Sequence, residues 1–185
     1  MTYYSNGERD FIFHLKQSAA AHVKSSDIKK DFVRSFRGLL IMGSTLSMDG
    51  TIRAACYKAA KIASRSGMII AYDPNVRAEL MEPKLIRKIC APLLNVAEIV
   101  IPSKRELLDL TGEDTVDKAS QRLLKRGVEI VIVKLGPEGS MAITRQRYVF
   151  RPAYEVKEAD PTGAGDAFDA AVLRGYEKGS TRRFA

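Results

Sequence analysis

A chain of 185 residues can bury one substantial core, and its 45% hydrophobic and 28% charged residues are ordinary for a soluble globular protein. No apolar run approaches membrane-spanning length, and the polar start Met1–Arg9 lacks the apolar core of a signal peptide, so a cytoplasmic protein with no membrane partner is expected. The net charge of +8 suits an anionic partner, but Lys and Arg are scattered over most helices and there is no Trp, which argues against nucleic acid.

In chain order, Phe11, Phe13 and Leu15 alternate with Ile12 and His14 on an expected strand, and Asp27–Phe36 reads as a helix capped by Ser26. Leu39–Met42 is a short buried strand ending at Gly43. A helix from near Ser47 carries Ile52, Ala55, Cys56, Ala59 and Ile62 on one face and stops at Gly67. Met68–Tyr72 is the next strand, followed by a helix through Leu85, Ile86, Ile89 and Leu93. Ile99–Ile101 is a strand, Ser103–Leu110 a short helix, and Val116–Arg126 a helix ended by Gly127. The β-branched run Ile130–Val133 completes the alternation, and Gly139–Ile143 with Tyr148–Phe150 reads as a hairpin. The pattern predicts a doubly wound α/β fold with a mostly parallel sheet. Cys56 and Cys90 share helical spacing with apolar neighbours and are expected as small core residues.

The most informative segment is Asp160-Pro161-Thr162-Gly163-Ala164-Gly165-Asp166, followed by the apolar run Ala167–Leu173. Gly163 and Gly165 let backbone N–H groups approach an anion, and the run that follows places them at a helix N-terminus, where the dipole favours negative charge. Asp166 then stands in the first turn, within reach of a hydroxyl that attacks a bound phosphate. A turn followed by an acidic first-turn residue is the simpler alternative.

Ligands of open parallel sheets bind beyond the carboxyl ends of the strands. Three consecutive strand ends here carry Asp73-Pro74-Asn75-Val76-Arg77, Ser103–Glu106 and Lys134–Gly139. Asp73 and Asn75 suit sugar hydroxyls or the ordering of a phosphate environment, and Arg77 offers a planar fork for an anion or a surface salt bridge. Glu106 suits the waters of a Mg²⁺ ion or the N-terminal charge of its helix. Gly136 and Gly139 either let the chain pass close to a nucleotide or build the hairpin turn.

These segments, in this order, resemble the ribokinase (pfkB-type) family of carbohydrate kinases, and Asp73–Arg77 looks like the element of its fructokinase and 2-keto-3-deoxygluconate kinase branches. The resemblance implies a three-layer α/β/α core, ATP and Mg²⁺ as cofactors, and a sugar or sugar acid as acceptor. It gives Gly163, Ala164 and Gly165 the anion hole, Asp166 the role of base, and Glu106 that of Mg²⁺ through water. Ser103, Lys134, Gly136 and Gly139 fall on the nucleotide side; Asp73, Asn75, Arg77 and His14 fall toward the acceptor. Ser103 replaces the family's Asn in its magnesium motif, and Pro161 stands where many members have Thr. Leu15 replaces an Arg of the acidic-sugar kinases, which weakens a 2-keto-3-deoxy acid as substrate. Against the family pattern, residues 1–22 read as the end of a lid strand and its return, and 23–185 as a core shortened at both ends. A homodimer is the oligomer the family suggests for a full-length protein. Nucleotide binding without turnover, and a nucleoside acceptor, stand as alternatives.

Overall fold

The computed structural model describes residues 2–3, 9–10, 18–75, 82–157 and 159–177. The strand expected around Phe11–Leu15 lies outside them. Strands β1 (Thr2–Tyr3) and β2 (Arg9–Asp10) pair antiparallel, Thr2 opposite Asp10.

The body is a six-stranded sheet. Its strands are β3 (Gly38–Met42), β4 (Ile69–Asp73), β5 (Ile99–Val100), β6 (Ile130–Lys134), β7 (Ser140–Ile143) and β8 (Tyr148–Arg151), lying side by side in that order. The pairs from β3 to β6 are parallel, and β7 and β8 close the edge as an antiparallel meander. The parallel strands read as continuous apolar runs because both faces are covered. Along β4 and β6, alternate residues enter two separate cores. Ile70, Tyr72, Val131 and Val133 join one, while Ala71, Ile130 and Ile132 join the other.

The helices are α1 (Lys30–Arg34), α2 (Gly43–Leu46), α3 (Gly50–Arg65), α4 (Pro83–Leu94), α5 (Lys104–Thr111), α6 (Val116–Lys125) and α7 (Ala164–Glu177). The crossovers from β3 through β6 all advance in one direction, and right-handed connections of that kind put their helices on one face. Residues of α3 through α6, among them Ala63, Leu93, Leu107 and Leu123, accordingly build the larger core. Across the sheet, α7 lays Phe168, Val172, Leu173 and Tyr176 on the opposite face, giving the three layers. Among the described residues no helix is long and apolar enough to cross a membrane. Cys56 and Cys90 are free thiols, Cys90 buried in the larger core where the Tyr72 hydroxyl donates to its Sγ at 2.8 Å. Burial pushes the Cys90 thiol up to about 11.

Local signals explain where the helices start. The cap expected at Ser26 does not form. The Lys24 N–H donates to Asp27 Oδ2 at 2.8 Å, so the Asp side chain closes a turn instead and α1 begins later, at Lys30. The helix expected from near Ser47 begins slightly later, as α3 at Gly50, because Asp49 adopts an extended backbone and its Oδ1 accepts from Thr51 and Ile52 at 2.6 and 3.0 Å; the short α2 before it is separate.

Gly43 fixes how closely the ends of β3 and β4 approach. A Cβ there would run into the Pro74 carbonyl oxygen and stand 2.8 Å from the Tyr72 hydroxyl, and the first of these is backbone that cannot swing away. Gly50, by contrast, faces open space at the start of α3. Gly43→Ala should therefore lower stability by about 2 kcal/mol or more, whereas Gly50→Ala should be neutral or slightly stabilising. Thermal melts followed by circular dichroism check the pair; equal melting temperatures for both variants would refute the steric assignment.

Candidate active site

The carboxyl ends of β4 and β6 and the start of α7 meet at one edge of the sheet. Asp73, the last residue of β4, is 1% exposed, and both of its oxygens are engaged. Oδ1 accepts from the Asn75 N–H at 3.1 Å, and Oδ2 accepts from Lys134 Nζ at 2.9 Å. Lys134 ends β6, two strands away, and the same ammonium lies 3.7 Å from Asp169 Oδ1 on α7. Asp73 thus orders the strand ends, with its carboxylate turned inward. Asn75 follows with φ of 34°, a left-handed conformation that Asn tolerates better than most residues. Arg77 and His14 lie outside the described residues.

Asp169 is fully buried, and neither of its oxygens has a hydrogen-bond donor. Burial first, and then the Asp73 charge beside it, push its carboxyl up to about 7 against the opposing pull of Lys134. Read from sequence, Asp169 was passed over as one member of an apolar run. A signal was present: it shares the spacing of Val172, Leu173 and Tyr176, so an acid stands on the helix face that enters the core.

Ser103 is bridged in parallel to Lys134, which places the start of α5 beside the same edge. Its Oγ accepts from the Glu106 N–H at 3.3 Å while Glu106 Oε2 accepts from the Ser103 N–H at 2.8 Å, a reciprocal cap. Both residues called from sequence therefore secure the first turn of α5. After β6 the chain makes a short 3₁₀ turn, Gly136–Glu138. A Cβ on Gly139 would strike the Arg151 carbonyl, so the meander itself accounts for that glycine, while Gly136 faces open space.

The Gly163–Asp166 segment forms the expected turn into a helix. The Thr162 N–H donates to Asp160 Oδ1 at 2.9 Å, and the Ala164 N–H to the Pro161 carbonyl at 3.1 Å. Gly163 has φ of 82°, which L side chains rarely adopt. A Cβ on Gly165 would enter open space rather than a neighbour, so packing does not explain that glycine. Helix geometry leaves the Gly165 and Asp166 N–H groups without an intrahelical acceptor, and Asp166 itself is exposed in the first turn of a 14-residue helix. Ala164 differs from the expectation: its N–H is used within the turn. What remains, an open helix N-terminus with a carboxylate at its rim, fits a phosphate group. Among the described residues no three His, Cys, Asp or Glu side chains gather into a metal cage. A hydrated Mg²⁺ carried by phosphates does not require one.

Compared with known families, residues 1–183 match the pfkB family of carbohydrate kinases. The chain belongs to this family. It is 31% identical over 175 residues to probable fructokinase-2 of Arabidopsis thaliana, covering 94% of this chain and 53% of that one. An apo E. coli protein described as a ribokinase II superposes with a TM-score of 0.90 at 32% identity, over 96% of this chain and 57% of that one. The E. coli ribokinase II solved with ATP and Mg²⁺ gives 0.87, likewise at 32% identity, over 94% of this chain and 56% of that one. A Vibrio cholerae fructokinase holding fructose, ADP and calcium gives 0.75 at 28% identity, over 88% of this chain and 52% of that one. The pfkB-family chain spans about half the length of the curated relatives it matches.

The raised Asp169 carboxyl has a consequence for stability. Unfolded, it titrates near the ordinary value of about 3.9, so between about pH 4 and pH 7 the folded chain holds a proton the unfolded chain has released. Stability from this group is full below that window, falls as pH rises through it, and is level above. Asp169→Asn should remove the component and raise the melting temperature at pH 8 by about 3 °C or more, with little gain at pH 4. Melts of both chains across pH 4 to 8 check the sign; a constant offset between them would contradict it.

Proposed function

We propose that the protein transfers the γ-phosphoryl group of Mg-ATP to a hydroxyl of a sugar, with fructose the first acceptor to test. The observation that carries this reading is the open N-terminus of α7, where Gly163 and Gly165 leave room for an anion and Asp166 stands exposed at the rim. Similarity to fructokinases, one of them solved with fructose and ADP, supports the acceptor class.

In this reading the Gly165 and Asp166 N–H groups, backed by the dipole of α7, stabilise negative charge on the transferred phosphoryl group. Asp166 accepts the hydroxyl proton as the acceptor oxygen attacks in line. Asn75 faces the acceptor, and Arg77 and His14 join it on the family resemblance alone. Gly136 provides close approach on the nucleotide side, next to Ser103. Mg²⁺, when bound, neutralises phosphate charge, and Glu106 orients its waters from the first turn of α5. Asp73 and Lys134 order this edge. The expected cytoplasmic setting belongs to the same proposal.

ADP release from Mg-ATP should require one acceptor from a panel of fructose, ribose, 2-keto-3-deoxygluconate and a nucleoside. Asp166→Asn should reduce that release about 100-fold or more while nucleotide binding survives. Full activity in the variant would remove Asp166 as the base, and release with the nucleoside alone would replace the sugar.

A further inference from the structure

We propose that Asp169 is a positioning residue for the proposed transfer site: its carboxyl, meeting Lys134 and Asp73, fixes the first turns of α7 against the ends of β4 and β6. The inference rests on the reading of Gly163–Asp166 as that site.

The geometry is specific. Asp169 lies three residues beyond Asp166 on one continuous helix, about 4.5 Å along its axis, so a shift of one moves the other. Its partners come from two different strands, with Lys134 Nζ 2.9 Å from Asp73 Oδ2 and 3.7 Å from Asp169 Oδ1. These same strands lead into Asn75 and Gly136, so one ammonium couples three segments of the edge.

The apolar contacts of α7 do not supply this registration. At the far end of the helix, seven residues beyond Asp169, the Tyr176 hydroxyl donates to Glu129 Oε2 at 2.8 Å. Near Asp169, Phe168, Val172 and Leu173 rest on Ile99, Ile101, Ile130 and Ile132, a contact that holds the first turns down without fixing their slide or rotation. A buried carboxyl does fix them, because it is costly unless it faces its partners. The charged groups facing Asp169 are Lys134 from β6 and Asp73 from β4. Two carboxyl groups beside one ammonium are satisfied best when they share a proton. An amide at position 169 should therefore substitute for the acid, whereas a methyl group should not.

Hydrogen exchange in the intact chain tests this, reading amides 167–170 of α7 with amides 131–133 of β6 as the internal reference. At pH 6, Asp169→Ala should speed exchange at 167–170 about tenfold or more while 131–133 stay protected, and Asp169→Asn should remain within about twofold of the unmodified chain. Lys134→Gln should loosen the same amides, and the double variant Lys134→Gln/Asp169→Ala should add little beyond either single one. After correction for intrinsic rates, exchange at 167–170 should rise from about pH 6 to pH 8 in the unmodified chain and stay flat in Asp169→Asn. Unchanged exchange in Asp169→Ala, or an equal rise at 131–133, would overturn the proposal. Asp166→Asn separates the two readings: it should leave exchange at 167–170 unaltered. Persistent turnover in that variant would sink the assignment of the base without touching the result for Asp169.

Discussion

The ammonium of Lys134 is the contact on which the candidate site depends. A lysine ending a central strand of a parallel sheet would ordinarily extend into solvent; here its side chain is only 21% exposed and lies against Asp73. A charge in that position is unfavourable without a counter-ion at hydrogen-bond distance, and Asp73 supplies one from two strands away. Because both side chains are largely out of water, their attraction is screened far less than that of the exposed pair Lys118–Asp114, whose two side chains are 59% and 72% accessible. The third member, Asp169, brings the helix that carries the glycine turn into the same contact.

That contact exists only because of how the sheet is ordered. β3 to β6 lie in sequence order with a parallel register in which Tyr72, Val100 and Val131 are level, so β6 runs two residues further than β4 and Lys134 ends beyond Asp73, across the short β5. Past Val100 the chain still runs between its neighbours, the Ile101 N–H donating to the Tyr72 carbonyl at 2.9 Å and the Lys134 N–H to that of Pro102 at 2.7 Å, before it enters the capped start of α5. Gly43 acts on the neighbouring side, letting the end of β3 close onto the Pro74 carbonyl directly after Asp73.

Much of this was legible in the sequence, and the parts that were not have physical reasons. Apolar runs bounded by glycine marked β3, β4, β6 and the hairpin because buried parallel strands need continuous hydrophobic faces. The rule about strand ends put Asp73, Ser103 and Lys134 on one edge, where the structure finds them. What sequence could not show is direction: that Lys134 turns inward to Asp73, or that Glu106 reaches back to the Ser103 N–H. Ser26 misled because Asp27 offers the competing turn to Lys24, a contest decided by local geometry. Asp169 was missed because an acid within an apolar run shows no partner of its own until the sheet beneath the helix is known to carry a lysine.

The two glycines of the turn differ in the reason they are there, and the difference separates folding from function. Gly163 is demanded by backbone conformation, since φ of 82° is strained for any other residue, and it would be needed whether or not the turn bound anything. Gly165 sits within the helix, where alanine would be the more stable residue by about 1 kcal/mol and where a Cβ would meet no protein atom. Without a Cβ at that position the helix keeps its first amides approachable, which suits the anion of the proposed reading. The Asp160 and Pro161 contacts stiffen the turn from below, and the Lys134 cluster holds the helix from behind, so the amides face outward in a fixed direction. In the proposed transfer, an edge held in this way would not have to reorganise as charge develops on a phosphoryl group, and that preorganisation is what an electrostatic catalyst requires.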